Sequence, residues 1–182
     1  MDGIVIEPLT PEHRVDGFDC HTGHEEDADL NDFIKNDALN EKYEGWNKTY
    51  VAVSAGTKDV LGFFTISNDS FQVKPDVKSS KHKPYFQVPA TKIGRLAVDK
   101  RYQQKGLGKF LVRYAIGFVV DQICRHTGCR YITLDAYPYR VGWYLKNFPF
   151  RVNTFAVSAV GTGCVNIILA LKDFPERLAK NE

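Results

Sequence analysis

The chain has 182 residues, with 24 Lys and Arg against 22 Asp and Glu and a formal net charge of +2 at neutral pH. That length suits one domain with a sizeable core, and apolar and charged fractions of 43% and 25% are those of a soluble globule. The apolar runs are too short to span a bilayer. Met1–Pro8 shows neither the basic flank nor the apolar core of a signal peptide. Cys20, Cys124, Cys129 and Cys164 show no CxxC spacing, which fits reduced thiols in a cytoplasmic protein. A pI of about 8.3 is lower than a dedicated nucleic-acid binder carries.

Ile4–Ile6 reads as a short opening strand and Asp19–Gly23 as a turn. Asp27 or Asp29 can cap a helix running through Leu30, Phe33, Ile34 and Leu39. Thr49–Val53 and Val60–Ser67, joined by a turn over Ala55–Asp59, read as an antiparallel hairpin. Residues 68–92, polar and rich in Lys and Pro, read as a loop with little regular structure.

An apolar run, Ile93–Val98, then stops. A short polar link follows, and Gly106-Leu107-Gly108 opens a long amphipathic helix. Leu107, Phe110, Leu111, Tyr114, Ala115, Phe118, Val119 and Ile123 recur at three- and four-residue steps and so share one face. The pattern predicts a helix end near Thr127-Gly128, with glycine as a left-handed cap. Tyr131–Ala136 then gives a strand, so strand, helix and strand form a βαβ unit with parallel strands. Thr154–Val160 and Cys164–Leu171 flank Gly161-Thr162-Gly163 as a second hairpin. No internal repeat is evident, and the elements add up to a mixed α/β sheet covered by helices.

The strand-to-helix link carries the chemistry. It aims free backbone N–H groups and the positive end of a helix dipole at one point, which suits a phosphate or pyrophosphate. Gly106 and Gly108 let an anion approach the backbone closely. A P-loop is excluded, because Gly-Leu-Gly-Lys-Phe places no hydroxyl for magnesium. A Rossmann fingerprint fits badly, since Leu111 stands where a small residue is needed.

Gln103-Gln104-Lys105-Gly106-Leu107-Gly108 resembles the Gln/Arg-x-x-Gly-x-Gly/Ala signature of the GNAT (Gcn5-related N-acetyltransferase) superfamily. Gly94–Asp99 looks like the strand that leads into it, and Trp143–Phe150 is similar to the downstream Phe-Tyr-x-x-x-Gly-Phe element, with Pro149 in place of the usual glycine. Phe18-Asp19-Cys20, Leu30–Ile34, Thr49–Val53 and Gly62–Ser67 look like one branch of that family, with His21 where many relatives have glycine. That branch includes toxins of toxin–antitoxin pairs that acetylate the amino group of aminoacyl-tRNA.

The resemblance implies the GNAT fold: a mixed, mostly antiparallel twisted sheet with a V-shaped splay between two parallel strands, flanked by helices, in a single domain over residues 1–182. It implies acetyl-CoA as co-substrate and no metal. Pantetheine would pair with the backbone of Leu96, Ala97 and Val98. The pyrophosphate loop would comprise Gln103, Gln104, Lys105, Gly106, Leu107, Gly108 and Lys109, and Tyr144 would protonate the leaving thiolate. The acceptor is an amine, on charged tRNA, a protein or a small molecule, and the expected partners are a small antitoxin protein and a second copy of the chain. The general base is left unassigned.

Charge is unevenly laid out. Residues 1–44 hold thirteen acids against three bases, and residues 74–113 hold eleven bases against two acids. The loop lies in the basic block, which suits a cofactor bearing several phosphates, although a solvated basic surface accounts for any single lysine. His21, His24, Glu25, Glu26 and Asp27 suggest a metal site, but an acidic helix start accounts for them more simply. Tyr137, Tyr139 and Trp143 read as packing aromatics. Asp135 reads as a proton relay or a structural hydrogen-bond acceptor, and Cys124 and Cys129 as small packing residues. Two function classes follow: an enzyme that moves acetyl to an amine, and an acyl-CoA-binding sensor without chemistry.

Overall fold

The computed structural model describes residues 3–72, 87–154 and 163–173. It contains strands β1 (Ile4–Pro8), β2 (Lys48–Ser54), β3 (Val60–Gln72), β4 (Gln87–Val98), β5 (Tyr131–Ala136), β6 (Arg151–Val152) and β7 (Val165–Ala170), and helices α1 (Asp27–Asp32), α2 (Ala38–Glu44), α3 (Leu107–Phe118) and α4 (Pro138–Asn147). The hydrogen-bonded strand order is β1-β2-β3-β4-β5-β7-β6. The pairs β1–β2, β2–β3, β5–β7 and β6–β7 are antiparallel. Strands β4 and β5 are parallel, and their ladder spans only Ala90–Lys92 against Tyr131–Thr133. This is the mixed, mostly antiparallel sheet expected.

The chain gathers into two compact units, Met1–Ser67 with Ile93–Ala115 and Asn68–Lys92 with Ile116–Glu182. In the first, alternation along β2 and β3 sends Val51, Val53 and Phe63 to one face, where they meet Phe18, Phe33, Ile34 and Ala38. The Phe63 ring lies 5.5 Å from Phe18 and 5.8 Å from Phe33. Each such buried ring contributes about 2 kcal/mol. On the opposite face α3 packs through Leu107, Leu111, Val112 and Ala115, all at most 2% exposed.

That stripe differs from the sequence reading. Val112, Ile116 and Val120 are buried, whereas Tyr114 is 37% exposed. Its ring lies 6.1 Å from Phe64 and 6.2 Å from Phe110. Both faces offer apolar residues at helical spacing, so the pattern alone could not choose between them.

Several boundaries are corrected. The helix after α3 does not reach Thr127-Gly128. Val119–Ile123 forms a π-helical turn, closed by Cys124 N–H donating to the Val119 carbonyl at 2.9 Å. Gly128 lies beyond it, outside the left-handed region. Another π turn, Phe33–Asp37, joins α1 to α2. Neither Asp27 nor Asp29 caps α1. Glu26 stands at that position without a side-chain bond, and the buried Asp27 carboxylate accepts from Thr22 N–H (2.6 Å) and Thr22 Oγ1 (2.7 Å).

In the second unit, the segment read as loop holds strand at both ends. β3 continues to Gln72 with Asn68, Ser70 and Gln72 exposed and Phe71 turned inward, 5.5 Å from Tyr131. β4 already begins at Gln87, and Val88 and Ala90 join the cluster around Tyr131, Ile168 and Ala170. Asn68, Ser70 and Gln72 stand on the exposed face of a half-covered strand and so carry no apolar alternation, whereas residues 73–86, which hold most of the Lys and Pro, lie outside the described residues. Of the second hairpin, Val165–Ala170 is strand, whereas 155–160 lies outside the described residues and Thr154 is not in a strand. Among the described residues, the strand that pairs with β7 on this side is Arg151–Val152. Among the described residues, no helix is long and apolar enough to cross a membrane.

Candidate active site

Leu96, Ala97 and Val98 are the last residues of β4. Ala97 is buried, and Gly62 of β3 makes room for it. A Cβ on Gly62 would lie 3.0 Å from the Ala97 carbonyl oxygen and 2.9 Å from Leu111 Cδ1. Asp99 N–H then donates to the Leu61 carbonyl at 2.9 Å, ending the strand.

From Asp99 onward the loop is held by a polar network. The fully buried Asp99 carboxylate accepts from Arg101 Nε and Nη2, both at 2.8 Å, from Arg101 N–H at 2.9 Å and from Asp19 N–H at 3.2 Å. Burial pushes the Asp99 carboxyl up, and the bonds from Arg101 and Asp19 outweigh this and hold it below its ordinary range. Lys100 Nζ lies 2.7 Å from Asp19, which also accepts from His21 N–H at 3.0 Å. The Lys100 contact above all draws Asp19 down to about 2. Asn31 Oδ1 accepts from Cys20 N–H at 2.9 Å. The Gln103 amide donates to the carbonyls of Val98 (2.9 Å) and Cys20 (3.0 Å).

Gln103 therefore ties the loop down with its side chain. Gln104 and Lys105 are exposed beyond it, and Lys105 Nζ donates to the Arg101 carbonyl at 2.8 Å. Gln104 has φ +57° and Gly106 φ +88°. The first bond entering α3 is Phe110 N–H to the Gly106 carbonyl at 3.0 Å. The N–H groups of Leu107, Gly108 and Lys109 therefore precede the helical ladder, at the positive end of its dipole. Leu107 is buried and anchors the entrance, whereas Gly108 lies inside the first helical turn rather than in the loop.

Tyr144 belongs to the second unit, on α4, whose first residue is Pro138. It is 8% exposed, with the rings of Trp143, Phe150 and Phe148 at 4.9, 6.1 and 6.4 Å. Burial pushes its phenol up to about 12, against the pull of Arg140. Pro149 sits comfortably, because Phe148 is extended (φ −143°, ψ 158°), the conformation that a following proline favours.

The remaining candidates have structural partners. Tyr137 and Tyr139 stack on each other at 5.7 Å. Asp135 pairs with Lys92 and accepts from Asn166 Nδ2 at 2.6 Å. His21, His24 and the neighbouring acids form no group able to hold a metal ion among the described residues. The sequence reading missed the network of Asp19, Cys20, Asn31, Asp99 and Arg101. Its signal lies in the Phe18-Asp19-Cys20 and Leu30–Ile34 motifs, which supply Asp19, Cys20 and Asn31.

Residues 13–148 match the model of the Acetyltransferase (GNAT) family. The chain belongs to this family. The GNAT chain is 26% identical over 163 residues to a tRNA-acetylating toxin of Mycobacterium tuberculosis (strain ATCC 25618 / H37Rv), covering 90% of this chain and 92% of that protein. Its fold is similar to that of AtaT complexed with acetyl-methionyl-tRNAfMet, with a TM-score of 0.75, 22% identity, and coverage of 95% of this chain and 98% of that one. It is also similar to a mutant AtaT toxin bound to the C-terminus of the antitoxin AtaR and acetyl-CoA, with a TM-score of 0.71, 22% identity, and coverage of 98% and 100%.

Acetyl-CoA is the co-substrate of GNAT acetyltransferases. In the first unit, two residues at positive φ, Gln104 and Gly106, precede the start of α3, and Gln104, Lys105 and Lys109 are exposed there.

Proposed function

We propose that this chain is a single-domain, acetyl-CoA-dependent N-acetyltransferase that acts in the cytoplasm, with the amino group of aminoacyl-tRNA as its acceptor. The reading also makes it the toxin of a toxin–antitoxin pair, restrained by a small antitoxin protein. The observation that carries it is the 26% identity, over nine-tenths of the chain, to a tRNA-acetylating toxin. Lys105, Lys109 and Arg113, exposed around the start of α3, suit both the phosphates of the donor and an RNA acceptor.

Acetyl-CoA supplies an activated thioester. Leu107, Gly108 and Lys109 N–H groups hold the pyrophosphate, and backbone groups of Leu96–Val98 pair with the pantetheine. The neutral acceptor amine attacks the thioester carbon, with a new C–N bond forming as the C–S bond breaks. The amine gives up its proton to water, and the Tyr144 hydroxyl donates one to the departing sulfur. A phenol whose pKa is pushed up to about 12 stays protonated at neutral pH and so remains a donor.

The test is acetyl transfer from labelled acetyl-CoA to a panel of charged tRNAs, protein amines and small amines, together with growth on induced expression. Label on the aminoacyl group of charged tRNA and growth arrest are expected. Transfer to small amines alone would overturn the acceptor, and CoA binding with no transfer to any amine would make the chain a sensor.

A further inference from the structure

Resting on aminoacyl-tRNA as the acceptor, we propose that the end of α2, together with Arg95 of β4, is a docking surface for single-stranded RNA. The 3′ end of the tRNA lies on it, with bases stacked on Trp46 and Tyr43 and a phosphate paired with Arg95. Trp46 and Tyr43 are 71% and 68% exposed, more than any other large apolar side chain among the described residues.

Local structure sets these groups side by side. Gly45 (φ +83°) ends α2 in the left-handed region, and Trp46 N–H donates back to the Glu41 carbonyl at 2.9 Å. The indole is fixed by its edge, Nε1–H donating to Glu44 Oε2 at 2.8 Å. Lys42 Nζ lies 5.9 Å from the centre of the Tyr43 ring. One oxygen, Glu41 Oε2, accepts from Asn47 Nδ2 and from Arg95 Nη1, the latter at 3.2 Å, and so holds Arg95 beside the Trp46 turn.

Arg95 Cζ lies 4.1 Å from the centre of the buried Phe33 ring, and its side chain is 45% exposed. A guanidinium backed by a ring presents its N–H fork in a fixed plane, which suits phosphate oxygens. Arg95 directly precedes Leu96–Val98, so this charge stands next to the strand proposed for the donor.

RNA suits the surface better than a protein segment. Lys42, Lys48 and Arg95 stand against Glu41 and Glu44, and those two carboxylates already accept from Arg95 and Trp46. From Lys42 to Lys48 the chain has no aliphatic side chain, only two aromatic rings set among charges. Bases of any identity stack on such rings, whereas a docked amphipathic helix needs an apolar groove.

The test titrates a dye-labelled single-stranded RNA, with the sequence of a tRNA 3′ end, with the full chain at several salt concentrations. Trp46→Ala should weaken binding on the order of tenfold and leave the salt slope unchanged. Arg95→Gln should lower that slope by about 0.7, and Arg95→Lys should restore it. With charged tRNA as substrate, Trp46→Ala should raise KM and keep acetyl-CoA affinity. Wild-type RNA affinity in Trp46→Ala, an unchanged slope in Arg95→Gln, or no RNA binding by the wild type would show that RNA does not dock here. Variants that keep RNA but lose a small protein partner would make the surface a protein interface instead. Absence of acetyl transfer to charged tRNA would overturn the acceptor, whereas the oligonucleotide titration decides the surface by itself.

Discussion

Arg101 grips the buried carboxylate of Asp99 with two parallel bonds, Nε to Oδ1 and Nη2 to Oδ2, each 2.8 Å long. The pair sits between the end of β4 and the loop that opens α3, so the geometry of that loop rests on a buried carboxylate. The Asp99→Ala variant should lose about 2 kcal/mol of stability, less than a wholly buried pair because Arg101 is largely exposed. Urea midpoints measure this, and acetyl-CoA affinity should fall in parallel.

Acid should loosen the same region. Asp19 is held at about 2 by Lys100 and His21 N–H, against an ordinary 3.8. A carboxylate with a lowered folded-state pKa contributes stability above its unfolded value, and that contribution disappears as pH falls through the folded one. Its share is therefore complete above about pH 5 and gone near pH 1. Thermal midpoints of wild type and Asp19→Asn should converge across that window; a constant gap would contradict the assignment.

Gly106 occupies a backbone region that side chains avoid (φ +88°). Gly106→Ala should cost about 1 kcal/mol of stability and weaken acetyl-CoA binding. Gly106→Glu should abolish binding, because its carboxylate would occupy the anion position. Calorimetric titration decides, and unchanged affinity in the glutamate variant would remove the pyrophosphate from this loop.

For Tyr144 the expected signature is a split between binding and turnover. Tyr144→Phe keeps the ring among Trp143, Phe148 and Phe150 but loses the donor. Turnover should drop on the order of 100-fold, with acetyl-CoA affinity nearly intact. Equal turnover would exclude it as the general acid.

Gly62→Ala probes the support behind the strand. Its Cβ would press on the Ala97 carbonyl and on Leu111 Cδ1. The backbone cannot rotate away, so a loss of about 1–3 kcal/mol is expected, read from the denaturation midpoint. Leu111→Ala in the same chain should relieve only the side-chain part of the crowding.

Much of this was legible in the residues. The Tyr131–Ala136 strand falls where alternation and flanking polar residues put it, and the Gly106 entrance follows from a stopped apolar run meeting a helical pattern. Three kinds of feature were not legible. Strand hidden in polar sequence, as at Asn68–Gln72, carries no apolar alternation when one face is open. The rotation of α3 depends on which of two apolar flanks meets the sheet. Long-range anchoring, such as Gln103 to the Cys20 carbonyl eighty-three positions away in sequence, joins groups that no local pattern links.

The π turn at Val119–Ile123 holds one residue more than an α-helical turn of the same span needs. A one-codon deletion here, of Asp121 for instance, would regularise the helix and leave what precedes and follows in register. The same loss within Leu107–Phe118 would swing the remaining apolar stripe by about 100°. Drift in gene length should therefore be absorbed at this point of the helix, and natural variants one residue shorter should carry their gap here.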